Sequence, residues 1–289
     1  MRPRRVVFLV IVLILTAGAG GAIVWRVQRA RERARVEELR ERLARRTGDP
    51  AEHHWLGLQL ADREKEDEAL GHLENAARAM PSDLRVGNDV RLWSVRFEAW
   101  DRCIAFFEEL AASHPGMPEP RLQLALAYID KMPDNMLGIV GQGKLSKMSI
   151  ARLSEILKDE PPLSEDVAWS VHYALGMNHL YWPKALGHAP LSVESFQRCI
   201  DVQKTRIEGV HAYFLLPYLG LGDALVKEGR HEEARAAWRE ADMMVGKDPR
   251  LDERLAIEDD EALTRFVDAA RGLGIVIDTD LTVLWGRAP

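Results

Sequence analysis

Cysteine is scarce in this 289-residue sequence: Cys103 and Cys199 are the only two, nearly a hundred positions apart. Two such residues form no disulfide framework and no zinc site by themselves. Both are expected to fill small core positions, where free cysteine is common. Short catalytic signatures are absent as well, with no G-x-x-x-x-G-K-[ST], no G-x-S-x-G and no H-E-x-x-H. GIVGQGK, residues 138–144, is glycine-rich but lacks the spacing of a phosphate loop, and reads as a mobile connection between helices. His172 and His179 would share a helix face, with His188 and Cys199 near in sequence, but no tight C-x2-C or H-x3-H pair accompanies them. Asp278 and Asp280 have the spacing of a D-x-D metal motif, but that motif is very short and a solvated tail explains it better. No catalytic, metal or cofactor residue is therefore assigned, and binding is the expected role.

Charge is unevenly placed. Residues 1–46 hold twelve Arg against four Glu, net +8, which leaves −14 on the rest of a chain whose total is −6. An acidic body argues against nucleic acid as a partner. Between the basic tail, residues 1–5, and the next arginines, residues 6–25 carry no charge at all. About 20 apolar residues suffice to cross a hydrocarbon core of about 30 Å. The run therefore predicts a single N-terminal transmembrane helix, flanked by Arg4 and Arg5 on one side and by Trp25 and Arg26 on the other. A cleaved signal peptide is the competing reading, with Ala17-Gly18-Ala19 as its cleavage site. Resumption of the apolar run at Ala22 favours the anchor. A raw count of flanking arginines puts the body in the cytoplasm. The short basic tail, hard to translocate, favours the opposite layout, with the tail inside a bacterial inner membrane and the body in the periplasm. Residues 26–48 then form an Arg-rich stalk. Arg and Glu at i, i+3 or i, i+4 suit a solvated helix, and the first arginines would lie against anionic lipid.

The body repeats itself. In residues 218–241, Tyr218, Leu221-Gly222 and Leu225 are followed by a turn at Gly229 and then by Ala234, Trp238 and Ala241. Leu56-Gly57, Leu60, Ala69, Leu73, Ala76 and Pro81 fit the same frame in residues 50–83. Less regular copies contain Cys103, Phe107, Leu110 and Pro115, then Leu124-Ala125 and Tyr128, then Leu175-Gly176, His179, Ser192, Phe196 and Cys199. Arg91 stands where the second copy should have glycine. The third copy resumes only near Ile150, after an insert at 129–149, and the fourth has an insert at 181–190.

This pattern resembles the tetratricopeptide repeat (TPR), with its W-x2-LG-x2-Y, A-x3-F and closing Pro. The resemblance implies an all-α, right-handed solenoid of about five helical hairpins over residues 49–250. Small residues would sit where paired helices approach closest. Residues 251–273 read as one capping helix. The remainder, residues 274–289, is a β-prone tail too short for a sheet. It either packs along the solenoid or serves as a docking segment, and packing is favoured.

In TPR proteins the first helix of each pair lines a concave groove. Carried over copy by copy, the resemblance places His54 and Leu58, Asn88, Leu92 and Arg96, Leu122 and Leu126, Tyr173, Met177 and Tyr181, and Asp223 and Lys227 there. The centre is apolar and aromatic, as suits an extended or helical segment of a protein partner. The implied function is that of a membrane-anchored scaffold or adaptor in a bacterial envelope complex. A cytoplasm-facing regulator of a membrane enzyme or transporter is one alternative. The other is a transport-associated binding protein whose inserts form a pocket.

Overall fold

The structure is a computed structural model that describes residues 28–31, 33–43, 48–134, 136–158, 162–272, 275 and 277–282. The apolar run at 6–25 and its flanking Arg4, Arg5, Trp25 and Arg26 lie outside these. Among the described residues no helix is long and apolar enough to cross a membrane, and there is no strand. The chain divides into two compact units, residues 1–76 and 77–289.

In the first unit, α1 is described over residues 28–31 and 33–43, followed by α2 (Pro50–Ala61) and the start of α3 (Glu66–Ala79). Asp49 caps α2 by accepting from the Ala51 N–H, and Pro50 opens the helix where its missing donor costs nothing. A Cβ on Gly57 would lie 2.7 Å from Leu73 Cγ, so glycine sets the closest approach of α2 and α3. The expected solvated stalk differs here. Val36 and Leu39 of α1 are buried, and Arg40 donates Nε and Nη2 to the two carboxylate oxygens of Glu68 at 2.5 and 2.7 Å. Arg35 stacks over Trp55 at 4.6 Å. A stripe of small and apolar residues, too thin to pair with another helix alone, finds its cover on the first repeat.

The second unit stacks helical hairpins: α4 (Leu84–Arg96) with α5 (Trp100–Ser113), α6 (Pro118–Lys131) with α7 (Gly138–Ile156), α8 (Glu165–Leu180) with α9 (Ala189–Thr205), and α10 (Leu215–Glu228) with α11 (His231–Val245). Each pair packs on the next, α9 lying against both α8 and α10. The repeat residues act as their spacing implies. A Cβ on Gly222 would overlap the Trp238 indole, and one on Gly176 would lie 2.8 Å from the Phe196 ring. Gly220, one position outside the expected pattern, faces the same Phe196 ring from the following hairpin. Cys103, Phe107, Cys199 and Trp238 are buried, as the repeat demands.

Two local expectations are corrected. GIVGQGK is not a loop but the first two turns of α7. Helical glycine costs roughly 1 kcal/mol against alanine. Here Gly143 makes room for Trp182, since a Cβ would come within 3.3 Å of its ring. The capping segment is two helices, α12 (Pro249–Leu255) and α13 (Asp260–Ala270). The break falls where Asp259 caps α13 through the Ala262 N–H. Arg235 Nη2 holds the turn by donating to the Glu258 carbonyl at 2.8 Å.

Candidate functional site

Three first helices of the second unit, α4, α6 and α8, contribute Asn88, Leu122, Leu126, Tyr173, Met177 and Tyr181, and all six are buried. Leu92 is half-buried, and Arg96 is exposed and stacks over Trp93 at 4.8 Å. His54 and Leu58 belong to the first unit, where both are half-buried.

At the head of this row is a charged cluster. Arg91, fully buried, donates Nη1 to Asp130 Oδ2 at 2.5 Å, Nε to Gln123 Oε1 at 3.2 Å and Nη2 to Asn88 Oδ1 at 2.6 Å. Gln123 reaches it by crossing close over Gly87, and donates its own amide to the Leu84 carbonyl. Over this cluster lies the C-terminal segment. Thr279 accepts from Arg91 at both its hydroxyl and its carbonyl, and Thr282 Oγ1 accepts from Asn88 Nδ2 at 2.9 Å. Ile277, Thr279 and Leu281 are buried while Asp278, Asp280 and Thr282 are exposed, a period of two. Ile277 and Leu281 join the apolar cluster that includes Leu122, Leu126, Tyr173 and Met177. The tail therefore packs in the row of first-helix side chains rather than standing free. Burial pushes the Tyr173 hydroxyl up, and the nearby carboxylate of Asp278 adds to the effect.

Asp223 and Lys227 of α10 are engaged by the capping helices. Asp223 accepts from Arg254 and Arg271, and Arg271 Nη1 also donates to the Tyr181 hydroxyl at 2.8 Å. Lys227 Nζ donates to the carbonyls of Leu180, Trp182 and Arg271 at 2.7, 3.2 and 2.8 Å, closing the C-terminal ends of two helices at once. Burial lowers its pKa, opposed by the charges of Asp268 and Asp223.

No family model matches the chain, and no curated protein sequence matches it. Solved structures do. A thermophilic TPR protein of Thermus thermophilus is 19% identical with a TM-score of 0.50, the match covering 72% of this chain and 97% of that one. MamA MSR-1 is 20% identical with a TM-score of 0.41, covering 71% of this chain and 97% of that one. MamA from Desulfovibrio magneticus RS-1 is 15% identical with a TM-score of 0.44, covering 68% and 96%. The chain has the tetratricopeptide-repeat fold.

The two inserts of the TPR array meet. Met132, Pro133, Ile139, Gly143 and Ser146 from one side, and Tyr181, Trp182, Pro183 and Leu186 from the other, enclose an apolar cavity of about 150 Å³ that Ile275 and Ile277 also line. Its inner wall is polar but satisfied: Trp182 Nε1 donates to Ser146 Oγ at 2.8 Å, and Ser146 Oγ to Asn178 Oδ1. Of the residues that line it, Ile139, Leu186 and Ile275 are exposed.

The histidines do not assemble as one cluster. His179 and His188 pair through their Nδ1 atoms at 2.8 Å, with Trp182 stacked on His188 at 4.5 Å. Burial lowers His179 to about 4, and His188 adds to the shift. Cys199 instead donates Sγ to the Trp169 carbonyl at 3.4 Å, and burial pushes its thiol well up. Among the described residues no three His, Cys, Asp or Glu side chains are grouped to hold a metal. In IDTD, the Asp278 and Asp280 carboxylates accept from main-chain N–H groups two residues on, at 3.0 and 2.9 Å. The repeat frame does not identify Arg91, Gln123 and Asp130 as groove residues. The available signal is Arg91 itself, a charge in a position the repeat gives to glycine.

Proposed function

We propose that this chain is a membrane-anchored adaptor of a bacterial envelope complex, binding a segment of another protein along the first helices of its TPR array. The N-terminal apolar run would hold it in the inner membrane, and the acidic body would stand in the periplasm with protein, not nucleic acid, as its partner. One observation carries the reading: the row of first-helix side chains takes a short chain segment, residues 277–282, with alternate side chains buried and a charged clamp at its centre. A photo-crosslinking residue at Arg96, exposed at the edge of this row, should label one discrete protein in intact membranes. The same residue at Glu109, on the second helix of the hairpin, should not. Equal labelling from both positions would reject the adaptor reading. A C-terminal reporter active in only one compartment decides between the periplasmic body and the alternative of a cytoplasm-facing regulator.

A second reading is favoured by the cavity between the inserts. Apolar walls and a satisfied polar floor suit a small apolar ligand or the apolar side chain of a partner, as in a transport-associated binding protein. Native mass spectrometry of the detergent-purified chain should then show a bound small molecule, lost on Gly143→Leu; an unliganded mass in repeated preparations counts against it.

A further inference from the structure

Thr279 holds the C-terminal segment to the groove. Arg91 donates Nη1 to its hydroxyl at 2.6 Å and Nη2 to its carbonyl at 2.5 Å. The Thr279 hydroxyl in turn donates to Asp130 Oδ1. Gln123, Asp130 and Asn88 take the other three N–H groups of the guanidinium, so all five donors are used, two of them on the segment. With the segment in place the guanidinium is buried; when the segment leaves, those two donors are left to water or to a segment that takes its place.

What the replacement must offer follows from the geometry. A carbonyl must face Nη2, and beside it an oxygen must both accept from Nη1 and donate to Asp130. Among uncharged side chains that offer an oxygen, a hydroxyl does both. Valine would leave an Arg91 N–H and an Asp130 lone pair unmet, and a carboxylate would bring a second negative charge against Asp130. Ile277 and Leu281, two positions to either side, are buried in the apolar row, while Asp278 and Asp280 face outward.

The manner of attachment is that of a ligand. Among the described residues no backbone–backbone hydrogen bond joins 277–282 to a helix. The N–H groups of Asp280 and Thr282 are satisfied by the segment's own Asp278 and Asp280 side chains. Side chains on the helices recognise side chains and one carbonyl on the segment, as a groove recognises a peptide.

We propose that this groove is a binding site for a short protein segment of the pattern apolar-x-Ser/Thr-x-apolar, and that residues 277–282 are the chain's own competitor for it. The inference rests on the adaptor reading and deepens it by naming the class of segment bound and what fills the site when no partner is present. A tethered competitor acts at an effective concentration on the order of millimolar. A partner segment must therefore outbind the tail or be presented locally, and its apparent affinity falls by the fraction of molecules whose groove is open.

The probe is a fluorescent peptide with the sequence of residues 277–282, added to the full chain in detergent. Wild type should bind it weakly. Thr279→Val, which loosens the tail and leaves the groove intact, should bind it at least about tenfold more tightly. A peptide carrying valine at the Thr279 position should bind neither protein. Should Thr279→Val lose helicity, Leu281→Ser decides in its place, since it loosens the tail at a separate contact and leaves Thr279 on Arg91. Tail variants that bind the peptide no better than wild type, or a valine peptide that binds equally well, would overturn the proposal. A protein crosslinked from position 96 alongside such a failure would keep the adaptor reading and reject this one.

Discussion

Arg254 grips Asp223 with two parallel hydrogen bonds, Nε to Oδ1 at 2.7 Å and Nη2 to Oδ2 at 2.9 Å, and the Asp223 side chain is wholly buried. Such a fork–fork pair is among the stronger charge-assisted geometries. It fastens α12 to α10, and Arg271, donating Nε to the same carboxylate at 2.8 Å, adds the end of α13. The array is closed at this end by electrostatics as well as by apolar burial.

Removing one charge from that cluster leaves a buried guanidinium, Arg254, and a partly buried one, Arg271, without their counter-ion. Asp223→Asn should destabilise the fold by about 3–5 kcal/mol, read as a lower urea midpoint with an unchanged slope. A loss under about 1 kcal/mol would show that solvent reaches the cluster.

Gly222→Ala should be destabilising by about 1–3 kcal/mol, because the added methyl overlaps the Trp238 indole. The same change on a Trp238→Phe background should cost measurably less, since the two sites are in contact and their effects should not add. Additive costs in the double-mutant cycle would locate the strain elsewhere.

Arg91→Lys keeps the charge but offers three donors in place of a planar five. Amide exchange in the tail, at Thr279 to Thr282, should accelerate by at least about tenfold, while exchange within α8 and α10 stays slow. Acceleration throughout the array instead would mean that Arg91 supports the fold generally and not the tail.

Two histidines of α8, His172 half-buried and His179 buried, make stability pH-dependent. Burial lowers His172, with Arg198 adding to the shift and Asp201 opposing it, and His179 is lowered by burial and by His188; both come to about 4. A folded pKa below the unfolded value means that the native state binds fewer protons, so stability falls as pH drops through about 6.5 and levels off only near 4. The urea midpoint should be flat above about pH 7.5 and decline below 6.5, and His179→Gln should make that decline shallower. An identical slope in the variant would assign the acid loss to carboxylates.

The hairpins were legible because their signal is local. Tyr218, Gly222, Ala234 and Trp238 fall within one repeat, and each spacing follows from how two neighbouring helices must pack. The groove was only half legible. First-helix positions follow from the repeat frame, but Arg91 and Thr279 are 188 residues apart, and nothing periodic joins a side chain to a carbonyl at that distance. The helical start of α7 was hidden for a different reason. Glycine argues against helix locally, and the close approach of Trp182 to Gly143 that makes glycine useful there is tertiary.

In α8 every residue from Val167 to Leu180 except His172 is buried. Most surface helices keep one wet face, and a repeat that keeps one can end an array. This hairpin cannot. The same holds for α10, buried throughout from Pro217 to Lys227, so ending the array at either helix would uncover a largely apolar surface with no wet face to turn outward, and the two hairpins must be kept or lost together with what covers them.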